Sequence, residues 1–161
     1  MSLLDRRTLL MLPLALAACG FTPVHAPGGN GARLYDRVAI TSPGATAESY
    51  LIVRNLEERL GRTQVNAYTL DVTVTTDTQQ QAITAANVTT RFSLVGTAKF
   101  VLTDTSDGRI VVSGDVQNFT GYSNTGSTVD TLAGEKDARE RLMSILADQI
   151  VSQILATADL G

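Results

Sequence analysis

The feature that most limits how this chain can fold is a two-residue alternation running from Val88 to Thr103. Even positions read Val88, Thr90, Phe92, Leu94, Gly96, Ala98, Phe100 and Leu102. Odd positions read Thr89, Arg91, Ser93, Val95, Thr97, Lys99, Val101 and Thr103. Successive side chains of a strand point to opposite faces, so the segment is a long strand with one apolar and one mixed polar face. Gly96 and Ala98 leave a shallow place in the apolar face, where a helix can lie across the sheet. Asp104-Thr105-Ser106-Asp107-Gly108 then makes a hairpin loop whose Asp-Gly pair tolerates a left-handed backbone. Arg109 to Tyr122 returns as the antiparallel partner, with Ile110, Val112, Gly114 and Val116 on one face.

The remaining elements follow from the same periodicities. Tyr68 to Thr75 alternates cleanly and is a further strand, and Arg37 to Thr41 is a short one ended by Ser42-Pro43-Gly44. Ala47 to Arg62 carries Leu51, Ile52, Leu56 and Leu60 at helical spacing, with Gly61 at its C-terminus. Gly134 to Ala158 places Ala138, Leu142, Ile145, Leu146, Ile150, Ile154 and Leu155 on one stripe, and acidic residues in its first turns suit the helix dipole. The order strand, helix, three strands, helix implies an α+β fold, with two helices packed on one face of a mainly antiparallel four-stranded sheet.

The N-terminus has a different character. Arg6 and Arg7 precede the uncharged run Leu9 to Ala18, roughly half the ~20 residues that a membrane span needs. That is the pattern of a secretory signal over residues 1–18, with a faint twin-arginine flavour at Arg6-Arg7. Leu16-Ala17-Ala18-Cys19 resembles the bacterial lipobox, which makes Cys19 the lipidation site. Several acyl chains, at ~0.8 kcal/mol per buried CH₂, anchor a chain firmly to membrane lipid. Residues 19–33, containing Pro23, Pro27 and Gly28-Gly29-Asn30-Gly31, are expected to be a flexible tether. Residues 34–161 form a single domain, a length that supports its own core.

Composition narrows the chemistry. Without Asp5, Arg6 and Arg7 the 13 basic and 16 acidic residues become 11 and 15, a weakly acidic balance that does not suit nucleic acid. Cys19 is the only cysteine, so no internal disulfide or thiolate metal cluster can form. His25 is the only histidine and lies in the tether. The scattered carboxylates have no metal-site spacing, and the glycines form no phosphate loop. No catalytic residues, metal or cofactor are expected, and the chain reads as a non-enzyme.

Three features suggest binding. Gln79-Gln80-Gln81-Ala82 to Asn87 is an uncharged connector, either an extended strand end or a mobile tip. Arg91 begins the long strand and Lys136 begins the last helix; where these ends meet, they form a small basic spot for phosphate beside a helix N-terminus, and otherwise both are ordinary solvated charges. Asn118 to Thr125 is polar and punctuated by Phe119 and Tyr122, as an interface rim or a twisted strand end would be.

The whole mature chain resembles the LptE family of lipopolysaccharide-assembly lipoproteins, in its alphaproteobacterial form. The resemblance rests on Cys19-Gly20-Phe21-Thr22-Pro23-Val24, on Arg54-Asn55-Leu56 with Arg59-Leu60, and on Phe100-Val101-Leu102-Thr103-Asp104 with Gly108 and Gly114. Asp137 to Leu142 and Leu146 to Ile150 complete it. Val129-Asp130-Thr131-Leu132-Ala133 departs from the family, which usually has Tyr-Ala there. The resemblance implies a plug that supports assembly of the LptD outer-membrane β-barrel and helps deliver lipopolysaccharide to the outer leaflet. It implies lipopolysaccharide contacts at basic residues near the sheet–helix end, where Arg91 and Lys136 fall. Gly20 after Cys19 agrees with sorting to the periplasmic side of the outer membrane, and a polar Thr-rich domain suits a polar barrel lumen. The alternative is another periplasmic lipoprotein, such as an auxiliary component of an ABC-type lipid transporter.

Overall fold

A computed structural model describes residues 29–83, 89–124 and 127–160. The signal, Cys19 and His25 lie outside the described residues. In chain order the elements are α1 (Asn30–Leu34), β1 (Val38–Thr41), α2 (Ala47–Leu60), β2 (Tyr68–Ile83), β3 (Thr89–Asp104), β4 (Ile110–Ser123) and α3 (Thr128–Thr157). The strands form one sheet in the order β1-β2-β3-β4. β1 and β2 are parallel, which is possible because α2 carries the chain back between them. The other two pairings are antiparallel, so the sheet is mainly antiparallel as expected.

The alternation in β3 decides which face is covered. Leu94, Ala98, Phe100 and Leu102 are buried beneath the helices, with Leu70 and Val72 of β2 beside them. The shallow place at Gly96 receives α3: a Cβ there would lie 2.9 Å from Leu142 Cδ2 and 3.1 Å from Leu146 Cδ1. Both long helices lie on this face and run in the same direction. Glu48 near the start of α2 pairs with Arg139, and Arg59 near its end pairs with Asp148. Leu56, Ile52, Leu142, Leu146, Ile150 and Ile154 close the core, all fully buried. Met143 and Ala147 are buried too, which widens the helical stripe beyond the residues that spacing picks out.

Four differences from the sequence expectation have local causes. Residues 30–33, placed in the tether, form with Leu34 a helical turn docked on the domain. The Asn30 side-chain amide donates to the carbonyl oxygens of Leu155 (3.3 Å) and Ala158 (2.9 Å), groups left open at the C-terminus of α3. β2 continues past Thr75 to Ile83, so Gln79 to Ile83 are the extended strand end, one of the two forms open to that connector; residues 84–88 lie outside the described residues. α3 begins at Thr128 instead of Gly134, because Ser127 and Asp130 form a capping box that starts the helix early. Ile110 is exposed rather than inward, since the β3–β4 register slips between Leu102 and Thr103.

Candidate functional site

The free end of the sheet carries the exposed polar and aromatic groups. Arg91 lies opposite Ser123, and Ser93 lies opposite Gly121. These odd positions face away from the helices. With Gln81 and Phe119 they line an open concavity of about 590 Å³. Phe119 is 67% exposed there, a large flat apolar surface two positions along β4 from Gly121. On the other side of the same strands Phe92 and Tyr122 stack, with ring centroids 5.3 Å apart and planes at 17°. That stack stiffens the strand end beneath Arg91. Burial pushes the Tyr122 hydroxyl pKa up, the Glu135 carboxylate adds to the rise, and Arg139 opposes it. The phenol therefore stays neutral and able to donate at any physiological pH.

Arg91 and Lys136 are both exposed and at this same end, but they sit on opposite sides of the sheet. No hydrogen bond or ion pair joins them among the described residues. Lys136 is also two turns inside α3, since the helix starts at Thr128, so the helix N-terminal N–H groups do not converge on it. Instead, Ser127 occupies that terminus: its hydroxyl accepts from Asp130 N, and the Asp130 carboxylate accepts from Ser127 N at 3.0 Å. The Ser127 hydroxyl, which also donates to that carboxylate at 2.7 Å, and the Ser127 N–H hold the Asp130 pKa below the usual aspartate value.

One part of this end is not marked by apolar spacing. Val129 and Leu132 stand exposed on the first turns of α3. Their signal is the Ser127-x-x-Asp130 cap, which marks an earlier helix start. Phe119 lies in the polar stretch that the sequence marks as an interface rim or strand end, and its exposure follows from its odd position in β4.

The opposite end holds a second concavity of about 600 Å³, lined mainly by Tyr35, Leu60, Val151 and Leu155 around the Arg59–Asp148 pair. Arg59 ties the two long helices together. It donates to Asn55 O (2.6 Å) and Ser144 Oγ (2.9 Å) as well as to Asp148. Its guanidinium holds the Asp148 carboxyl pKa below the usual range. Every donor of this side chain is spent on scaffold, so the cluster is structural. Among the described residues no group of three or more His, Cys, Asp or Glu could hold a metal ion, and no helix is long and apolar enough to cross a membrane.

A four-stranded mixed sheet with two parallel helices on one face defines a class of small lipoprotein domains. A putative lipoprotein from Caulobacter crescentus has the same fold, with a TM-score of 0.65 and 20% identity; the match covers 80% of this chain and 94% of that one. The rare lipoprotein B of Shewanella oneidensis matches with a TM-score of 0.57 and 9% identity, over 75% and 95%. A lipoprotein B from Nitrosomonas europaea matches with a TM-score of 0.57 and 14% identity, over 76% and 83%. No curated protein matches the sequence. Residues 35–154 match the model of the LptE family, described as lipopolysaccharide-assembly, and the chain belongs to that family. It is therefore a member of a non-enzymatic lipopolysaccharide-assembly family.

Proposed function

We propose that this protein is a non-catalytic outer-membrane lipoprotein. In this reading it plugs and supports assembly of an LptD-like β-barrel and helps deliver lipopolysaccharide to the outer leaflet. The observation that carries the reading is the family match across residues 35–154. The uncovered sheet face supports it, because Thr69, Asp71, Thr73, Thr75, Asp77 and Gln79 of β2 all lie on that face. Such a surface is at home in the polar interior of a barrel. Cys19 carries the lipid that holds the domain at the periplasmic leaflet.

Lipopolysaccharide contacts are assigned to Arg91 and Lys136. Arg91 offers a phosphate-binding fork to the concavity, and Phe119 a flat ring further along it. Lys136 offers a second charge on the helix side of the same end. Affinity purification from detergent-solubilised outer membrane should recover a large barrel protein, and failure to recover one sinks the plug. Depletion should leave the barrel misassembled and lipopolysaccharide stalled; an auxiliary component of an ABC-type lipid transporter would leave both unaffected. Arg91→Glu with Lys136→Glu should weaken lipopolysaccharide binding while the fold stays intact. Unchanged binding would make both plain surface charges.

A further inference from the structure

β4 is the edge of the sheet opposite β1, and its outward backbone groups can be assigned from three hydrogen bonds. Asn124 N donates to Thr90 O at 3.0 Å, so even-numbered residues of this strand point their backbone toward β3. Arg141 reaches Gly121 O from outside, and Phe119 N donates to the Asn118 side chain at 2.8 Å. The odd-numbered residues therefore present N–H and C=O at the free edge. Near Phe119 and Gly121 the protein's own side chains fill those positions. Further along, Ser113, Asp115 and Gln117 have no such backbone partner among the described residues.

An exposed edge is normally protected by charges, proline or a bulge. From Val112 to Gln117 the strand has one charge, Asp115, and no proline, and its one register slip lies just before this stretch, at Val111. Alongside it runs an open groove lined by Val116, Gln117, Gln149 and Gln153. The Gln149 side-chain oxygen is buried there without a hydrogen-bond partner. The edge and the groove together have the form of an unfilled strand position.

We propose that this edge joins two copies of the chain, by antiparallel β4–β4 pairing about a two-fold axis at Gly114. The sequence of the edge is self-complementary in that register. Ser113 of one copy lies opposite Asp115 of the other, on each side of the axis. On the helix side Val112 meets Val116, two residues already packed against the core. Gly114 faces itself, and on the helix side Gln153 of each copy lies over it, its Nε2 2.8 Å from where a Gly114 Cβ would stand. Moving the axis to Asp115 would set two carboxylates directly opposite one another, which is unfavourable. The paired arrangement is an isologous dimer with one eight-stranded sheet. The two α3 helices then flank the axis, and Gln149 gains a glutamine donor from the second copy. The dimer is a property of the free chain and stands whether or not a barrel is its partner.

Cross-linking between differently tagged full-length chains tests the register. Ser113→Cys in one copy and Asp115→Cys in the other should give a disulfide heterodimer, because hydrogen-bonded antiparallel pairs sit at a distance that a disulfide spans. Ser113→Cys alone and the natural chain, whose only cysteine is Cys19, should give at least tenfold less. Gln117→Pro should abolish the cross-link and leave the circular dichroism spectrum unchanged, since that N–H faces outward and proline is tolerated on an edge. Should that variant misfold, Gln117→Lys serves the same purpose. Equal cross-linking from every cysteine variant, a cross-link that survives both Gln117 variants, or capture of a different protein by the Ser113→Cys chain would each overturn the proposal.

Discussion

Gly61 lies so close to Asp36 that a Cβ built on it would fall 2.0 Å from the Asp36 carboxylate oxygen. Both residues have positive φ, 81° at Gly61 and 58° at Asp36, and Asp36 N donates to Leu60 O at 2.8 Å. The turn into β1 therefore closes against the end of α2, which fixes where the parallel strand begins. Gly61→Ala adds both a strained backbone and a clash, so we expect a loss of roughly 2–3 kcal/mol. The melting temperature should fall by about 5–10 °C in thermal unfolding. A change within a degree would show that the turn relaxes freely.

Gly96 is the seat of α3 on the sheet, and Leu142 and Leu146 fill the space that a side chain would take. Gly96→Val should cost about 1–3 kcal/mol by overpacking. Leu142→Ala alone should also destabilise, by about 2–5 kcal/mol from the cavity it leaves. Combined, the two should be less harmful than their sum, because one change fills the space the other opens. Urea unfolding of both single variants and the double variant measures that coupling; strict additivity would place the helix elsewhere.

Much of this arrangement was legible before the structure, and the reason is burial. Residues such as Phe100, Leu102 and Leu56 are inside, so their spacing had to match the period of their element. The six extra residues of α3 were not legible from spacing, because Val129 and Leu132 are exposed and carry no stripe. Their helicity comes from the cap at Ser127. The outer half of β2 carries no apolar signal for a similar reason: Thr76, Thr78 and Gln80 are exposed even on the helix side, so apolar alternation stops where α2 no longer covers the strand. Arg91 and Lys136 lie at one end of the domain, on opposite sides of the sheet. Their separation by the sheet was not readable, because it depends on which face α3 occupies.

Arg59 is a bridge between α2 and α3 through Ser144 and Asp148, and it also returns to Asn55 O. Arg59→Lys keeps the charge but loses the planar fork that reaches both helices. We expect Arg59→Lys to cost about 1–2 kcal/mol and Arg59→Ala about 2–3 kcal/mol, the latter leaving polar groups without partners. Hydrogen exchange should rise at the Arg59 end of α2 and along residues 144–150 in both variants. Protection that is unchanged in the alanine variant would assign the helix contact to apolar packing alone.

Acid should loosen the fold through the aspartates whose pKa values are held low. The Ser106 hydroxyl and N–H lower that of Asp104, the Ser127 hydroxyl and N–H lower that of Asp130, and the Arg59 guanidinium lowers that of Asp148. In each case the folded value lies below the unfolded one, so the unfolded chain takes up the proton first as pH falls. Their contribution is complete well above the unfolded aspartate value of about 3.9 and is lost as pH drops through the folded values. Stability from these groups should be flat between about pH 6 and 7 and decline below about pH 4. Removing the hydroxyl with Ser127→Ala should lower stability at neutral pH and partly flatten the acid decline, because Asp130 loses the larger of the two donors that hold its pKa down and keeps the Ser127 N–H. Denaturant unfolding of the natural chain and this variant at pH 7 and pH 3.5 checks the sign. A larger acid loss in the variant would show that Asp130 is not the group being titrated at the start of α3.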